Sequence, residues 1–238
     1  MVQGRASRNY DAPILHRTAA SRSQTVRRVC ERLRSRYGLP RLGNPREPVD
    51  DLVYVVLSNK TAPAAAMAAY QRLKSSFPAW DEVADASHRR LVRLLQPAGL
   101  ANIRASFLRR ALRRIRDDFD LCELSGLRGR DEEETLEYLT SLPGVSEKVA
   151  KCVMLFGLGM PVLPVDAHVH RIAGRLGWTT HRRADQCGPE LASLIPSHRR
   201  YAFHVDCIAH GRSTCRPSEP RCDRCCIRSS CMWVRSHE

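Results

Sequence analysis

A chain of 238 residues, 43% of them hydrophobic, can bury one large core or two small ones. Its 39 Lys+Arg against 25 Asp+Glu leave a formal charge of +14, and such a surface favours a polyanionic partner, because phosphate contacts release counterions whatever the sequence read. No apolar run reaches the roughly eighteen residues of a membrane span, and the basic N-terminus lacks the apolar segment of a secretory signal. Ten cysteines in a chain with no export signal therefore argue for a metal site and buried thiols rather than disulfides.

Residues 1–21 are polar, Arg/Ser-rich and aperiodic, and read as a disordered basic arm. From Ser23 to Tyr37 the spacing of Val26, Val29, Cys30 and Leu33 predicts an amphipathic helix, followed by a Pro/Gly-rich connection over 38–48. The stretch Asp51–Ser58, DLVYVVLS, is β-rich in propensity and equally compatible with a buried helix. An alanine-rich helix is expected over 62–76, short helices over 81–86 and 87–95, and a long one within 99–119. The arginines of that long helix, from Arg109 to Arg116, read as a solvated face. An acidic helix over 131–141 precedes the turn Leu142-Pro143-Gly144-Val145-Ser146. A second helix from Glu147 then carries Val149, Cys152, Val153 and Phe156 at helical spacing. Helix, turn and helix form a helix-hairpin-helix, whose free backbone N–H groups and positive helix end suit a phosphate. After Gly157, Gly159 and Pro161 a further helix opens with Asp166 as N-cap and runs to about Leu176; others follow over 184–195 and 197–211. The fold class is all-α.

Two side chains around the hairpin can do chemistry. Arginine supplies nearly all the positive charge, and the lysines are only Lys60, Lys74, Lys148 and Lys151. Lys148 falls in the first turn after the hairpin, where the helix dipole favours a neutral, nucleophilic amine able to form a Schiff base. Asp166, eighteen residues on, can take up a proton or steady a sugar cation. On spacing alone a solvated lysine and a simple helix cap explain the same residues. Near the C-terminus Cys215, Cys222, Cys225 and Cys231 make C-x6-C-x2-C-x5-C. This is a four-thiolate metal site open to zinc or iron–sulfur, with a single C-x2-C knuckle weakening zinc. Cys226 is a spare thiol, and the other five cysteines read as buried small hydrophobes.

The segments LPGVSEKVA and VDAHVHR, with HGRSTC and the cysteine spacing in the same order, resemble the endonuclease III family of helix-hairpin-helix DNA glycosylases. The resemblance implies a buried helix at 51–58 and two helical lobes with a DNA-binding cleft between them. One lobe is a helical barrel over 41–160 with the hairpin; the other combines 22–40 with 161–238 around a [4Fe–4S] cluster on the four cysteines. It implies lysine attack by Lys148 on C1′ of a damaged nucleotide, with help from Asp166, then strand cleavage by β-elimination, on oxidised pyrimidines in double-stranded DNA. DNA contacts are implied for Gly144, Val145, Ser146 and His168. Lys60, in LSNKT, and Leu100, in GLAN, would fill the gap left by a flipped base. A monomer of the cytoplasm, associated with the nucleoid, is expected. The sequence departs from the family at Ser146, where a second hairpin glycine is usual, and at Lys60, where the family has glutamine. A glycosylase for another lesion or mismatch, and a non-catalytic DNA-binding module, are the competing readings.

Overall fold

The structure, a computed structural model, describes residues 18–237. In chain order its α-helices are α1 (Ala19–Tyr37), α2 (Pro48–Ser58), α3 (Pro63–Ser76), α4 (Trp80–Asp85), α5 (His88–Leu95), α6 (Ala101–Phe119), α7 (Glu132–Ser141), α8 (Glu147–Phe156), α9 (Ala167–Leu176), α10 (Gly188–Leu194), α11 (Ser197–Ser213) and α12 (Met232–His237). No strand occurs among the described residues, so the protein is all-α, and none of these helices is long and apolar enough to cross a membrane. The chain forms two compact units. One is Arg41–Pro164, and the other combines, among the described residues, 18–40 with 165–237.

The unit 41–164 is built around α2. Pro48 opens this helix, in the one position where a missing N–H and a fixed φ do no harm, and Asp50 and Asp51 occupy its first turn. Every residue from Pro48 to Leu57 except Asp50 is buried. A helix wrapped on all sides carries no one-sided stripe, so DLVYVVLS could not be told from a buried strand by periodicity. Around it pack Leu73, Leu91, Leu108, Leu112, Ile115, Leu139 and Val153, all at most 2% exposed, each contributing about 1.5–3 kcal/mol by leaving water. Gly157, just past α8, allows the closest approach to α2: a Cβ there would lie 2.8 Å from the Pro48 Cα. The arginines of α6 are more than a solvated face. Arg116 grips Asp85 through two bonds of 2.7 and 3.1 Å, and Arg113 donates to the Ala84 carbonyl at 2.9 Å, tying α6 to α4.

In the other unit α11 lies between α1 and α9, and α12 packs on α9. Trp178 stacks on Phe203 with ring centroids 5.8 Å apart, both buried. Thr18 caps α1, so this helix begins at Ala19, within the stretch read as an arm; residues 1–17 of that arm lie outside the described residues. The helix expected over 184–195 is a 3-10 turn at Ala184–Gln186 and then α10. The break falls where Gly188-Pro189 can start a helix but cannot continue one. Cys30, Cys187 and Cys207 are buried here, as Cys122 and Cys152 are in the unit 41–164.

Candidate functional site

The hairpin between α7 and α8 turns at Gly144, whose φ of +80° suits glycine. A side chain there would also collide with α6, since a Cβ would stand 2.4 Å from the Phe107 Cγ. The Val145 amide donates to the Leu142 carbonyl at 3.1 Å and its side chain is buried, so both are engaged inside the unit. Ser146 caps α8, with Oγ accepting from the Val149 amide at 3.4 Å. This leaves the amides of Ser146, Glu147 and Lys148 without an acceptor among the described residues, at the positive end of the helix. Lys148 is half-buried in that first turn, whereas Lys151, one turn on, is paired with Glu147 at 2.6 Å.

A second group of residues lies between α2 and α6 in the same unit. Lys60 and Leu100 both adopt left-handed backbone, φ +57° and +49°, a conformation that costs a non-glycine residue about 1–2 kcal/mol. Leu100 is 60% exposed and Ile103, on the next turn, 52%. Beneath them Arg104 is buried and bonded to both loops. One of its nitrogens donates to the Ala98 and Gly99 carbonyls at 2.5 and 3.1 Å, the other to the Asn59 carbonyl and Thr61 Oγ1 at 2.6 and 2.8 Å.

A buried carboxyl also belongs to this unit. Asp51 is fully buried; its Oδ1 accepts from Asn44 Nδ2 at 2.6 Å, and its Oδ2 is sealed from solvent with no hydrogen-bond partner. Burial pushes this acid up to about 7, against the opposing pull of the Asn44 bond and the Lys148 charge. Sequence reasoning missed it, although an acid inside an apolar run is a readable signal.

In the unit containing Val165 onward, Asp166 caps α9, its Oδ1 accepting from the His168 and Val169 amides at 2.9 and 2.8 Å. Its Oδ2 makes no hydrogen bond among the described residues. His168 is half-buried, its Nδ1 accepting from Arg171 at 3.1 Å, and a Cβ at Gly211 would fall 2.3 Å from that nitrogen. Burial and the charges of Arg171 and Arg212 hold the ring below its usual range.

The C-terminal cysteines are organised by α9. Arg171 donates to the Cys215 carbonyl at 2.9 Å. Arg175 donates to the Cys215 sulfur at 3.1 Å and to the carbonyls of Arg216 and Pro217 at 2.8 and 3.1 Å. His210 Nε2 lies 3.7 Å from the Cys225 sulfur while its Nδ1 meets the Tyr37 hydroxyl at 2.8 Å. Burial pushes Cys225 up to about 12, with the neighbouring sulfurs of Cys226, Cys215 and Cys231 adding to the shift. Cys222 and Cys231 are raised by burial first and then by Cys215, so the four sulfurs lie within one another's fields. Among the described residues no three such side chains gather tightly enough for a single ion. An arginine donor on one sulfur suits a thiolate ligand, and four cysteine thiolates are a donor set that zinc or an iron–sulfur cluster can take.

Residues 53–197 match the HhH-GPD superfamily of base excision DNA repair proteins. The chain belongs to that family. It is 31% identical over 196 residues to endonuclease III of Thermotoga maritima, covering 82% of this chain and 88% of the relative. Its fold superposes on a non-covalent endonuclease III–DNA complex with a TM-score of 0.79 at 24% identity, over 90% of this chain and 97% of that one. It also superposes on a thermostable thymine-DNA glycosylase with a TM-score of 0.77 at 17% identity, over 92% and 100%. Against the HhH-GPD pattern, Ser146 stands where a second hairpin glycine is usual, yet its φ is −84° and its ψ 163°, backbone that any residue adopts. Glycine is not needed there, and the hydroxyl supplies a cap. At Lys60 the departure from glutamine is also one of shape, because the lysine sits on left-handed backbone.

Proposed function

We propose that this endonuclease III-like protein is a bifunctional DNA glycosylase and abasic-site lyase that removes oxidised pyrimidines from double-stranded DNA. The observation carrying this reading is Lys148, accessible in the first turn of a helix whose opening amides have no internal acceptor. Those amides, from Ser146 to Lys148, take a DNA phosphate, helped by the helix dipole and the charge of +14. Gly144 lets the hairpin backbone come close. Lys60 and Leu100 enter the gap left by the flipped nucleotide.

In the reaction the Lys148 amine attacks C1′ and the bond from C1′ to the base breaks, the base leaving with the electron pair. Asp166 Oδ2 accepts the amine proton and steadies the positive charge that develops on the sugar, while Oδ1 stays on its two amides. Ring opening gives an imine to Lys148; loss of the acidified C2′ proton then expels the 3′ phosphate. Hydrolysis of the imine returns the lysine. Cys215, Cys222, Cys225 and Cys231 would hold a [4Fe–4S] cluster, which when bound fixes a loop with no core of its own. That loop turns Arg221 and Arg224, both exposed, toward phosphate. His168, held by Arg171, buttresses the first turn of α9. The protein works as a monomer.

A panel of duplexes tests the substrate: oxidised pyrimidine, oxidised purine, mismatched thymine and undamaged base, each scored for base release and strand cleavage. Release and cleavage on oxidised pyrimidines are expected. Preferential release from a thymine mismatch, or binding with no release from any duplex, would overturn the assignment.

A further inference from the structure

We infer that Arg104 is a positioning residue that clamps the loop of Lys60 to the loop of Leu100, so that the two side chains enter DNA as one body. The inference deepens the glycosylase reading above and rests on it for the word DNA.

The clamp is visible bond by bond. Arg104 sits in the first turn of α6, where a positive charge opposes the helix dipole, and it is only 4% exposed. Burial pulls its guanidinium below the usual range, and among the described residues it forms no ion pair with a carboxylate. Nothing in the unit rewards a charge there except the oxygens it holds. These belong to Asn59 and Thr61, on either side of Lys60, and to Ala98 and Gly99, immediately before Leu100. Thr61 Oγ1 closes the ring by donating to the Ala98 carbonyl at 2.9 Å.

Both residues flanked in this way are left-handed and neither is glycine, so each loop needs an outside hold to keep its shape. A planar fork with donors on two nitrogens serves both loops at once, whereas lysine places its three donors on one nitrogen, which reaches one loop's oxygens. Above the clamp Leu100 and Ile103 stand exposed, the chemistry expected of a wedge that unstacks bases. A loop that yielded under load would let the flipped base return, so the stiffness of the pair governs extrusion rather than bond breaking.

The test uses the full chain with Arg104→Gln, and Arg104→Lys as the milder variant should the first not fold. Amide exchange is followed over 59–61 and 98–104. In Arg104→Gln both loops should lose protection together, with α2 and the rest of α6 unchanged; in Arg104→Lys only one loop should lose it. Single-turnover base release from a paired lesion should fall by roughly tenfold or more. Borohydride trapping on a single-stranded abasic oligonucleotide, which needs no extrusion, should be unchanged. Loops that respond independently in Arg104→Gln, both loops or neither responding in Arg104→Lys, or equal losses on both substrates would overturn the inference. Loops that loosen together in a protein whose wild type shows no base release would sink the glycosylase reading while leaving the clamp in place.

Discussion

Replacing Asp51 by asparagine should make the protein more stable above neutral pH, and the size of the gain follows from where the acid sits. Its carboxyl is fully buried and stands at about 7 in the fold against 3.8 when unperturbed. Between those values the folded chain keeps a proton that the unfolded chain has released, so stability falls as pH rises through the window and levels off above about 7. At 1.36 kcal/mol per unit the span amounts to about 4 kcal/mol. Asparagine accepts the same Asn44 bond and carries no charge to bury. Asp51→Asn should therefore gain on the order of 2–4 kcal/mol over wild type at pH 8, and little at pH 4. Urea unfolding from pH 4 to 8.5, with the slope m checked for constancy, reads this directly. Because the Lys148 charge pulls the acid down, Lys148→Ala should move the wild-type midpoint upward. Parallel pH curves for wild type and Asp51→Asn, or a variant less stable at pH 8, would refute the reasoning.

The hairpin and the cap give sharper separations. Gly144→Ala places a Cβ 2.4 Å from the Phe107 Cγ on backbone of φ +80°; a loss of about 2–4 kcal/mol in thermal or urea unfolding is expected, with weakened duplex binding. Asp166→Asn should keep α9 capped and lose less than about 0.5 kcal/mol, while base release collapses. Asp166→Ala should lose about 1 kcal/mol as well as activity. Protein isolated without air should hold iron and sulfide at four each per chain on Cys215, Cys222, Cys225 and Cys231, by elemental analysis and a visible brown band. A folded, colourless preparation with one zinc per chain would reverse that assignment.

Much of the helical layout was legible in the sequence because surface helices carry their periodicity openly, as Val26, Val29 and Leu33 do in α1. It was not legible where a helix is buried all round, as in α2, or where Gly188-Pro189 splits one expected helix. Around the site the cysteines drew notice by their spacing, and Lys148 and Asp166 through the segments LPGVSEKVA and VDAHVHR that resemble the family's. Arg104 and Asp51 did not, since their partners are backbone oxygens and an asparagine that no spacing marks. The traces were nonetheless present. Arg104 shares a helical stripe with Leu108 and Ala111, both buried, and a charge in the phase of an apolar stripe calls for partners. Val145 shows the reverse case: the hairpin residue expected to offer an amide spends it on Leu142 within the turn.

The most direct measurement is borohydride trapping on a duplex with a single abasic site. Wild-type protein should form one covalent adduct, Lys148→Ala none, and Lys151→Ala, which loses the ion pair to Glu147 but keeps Lys148, as much as wild type. Peptide mapping of the reduced adduct should place the sugar on Lys148. An adduct that persists in Lys148→Ala, or none from iron-loaded wild type, would contradict the account.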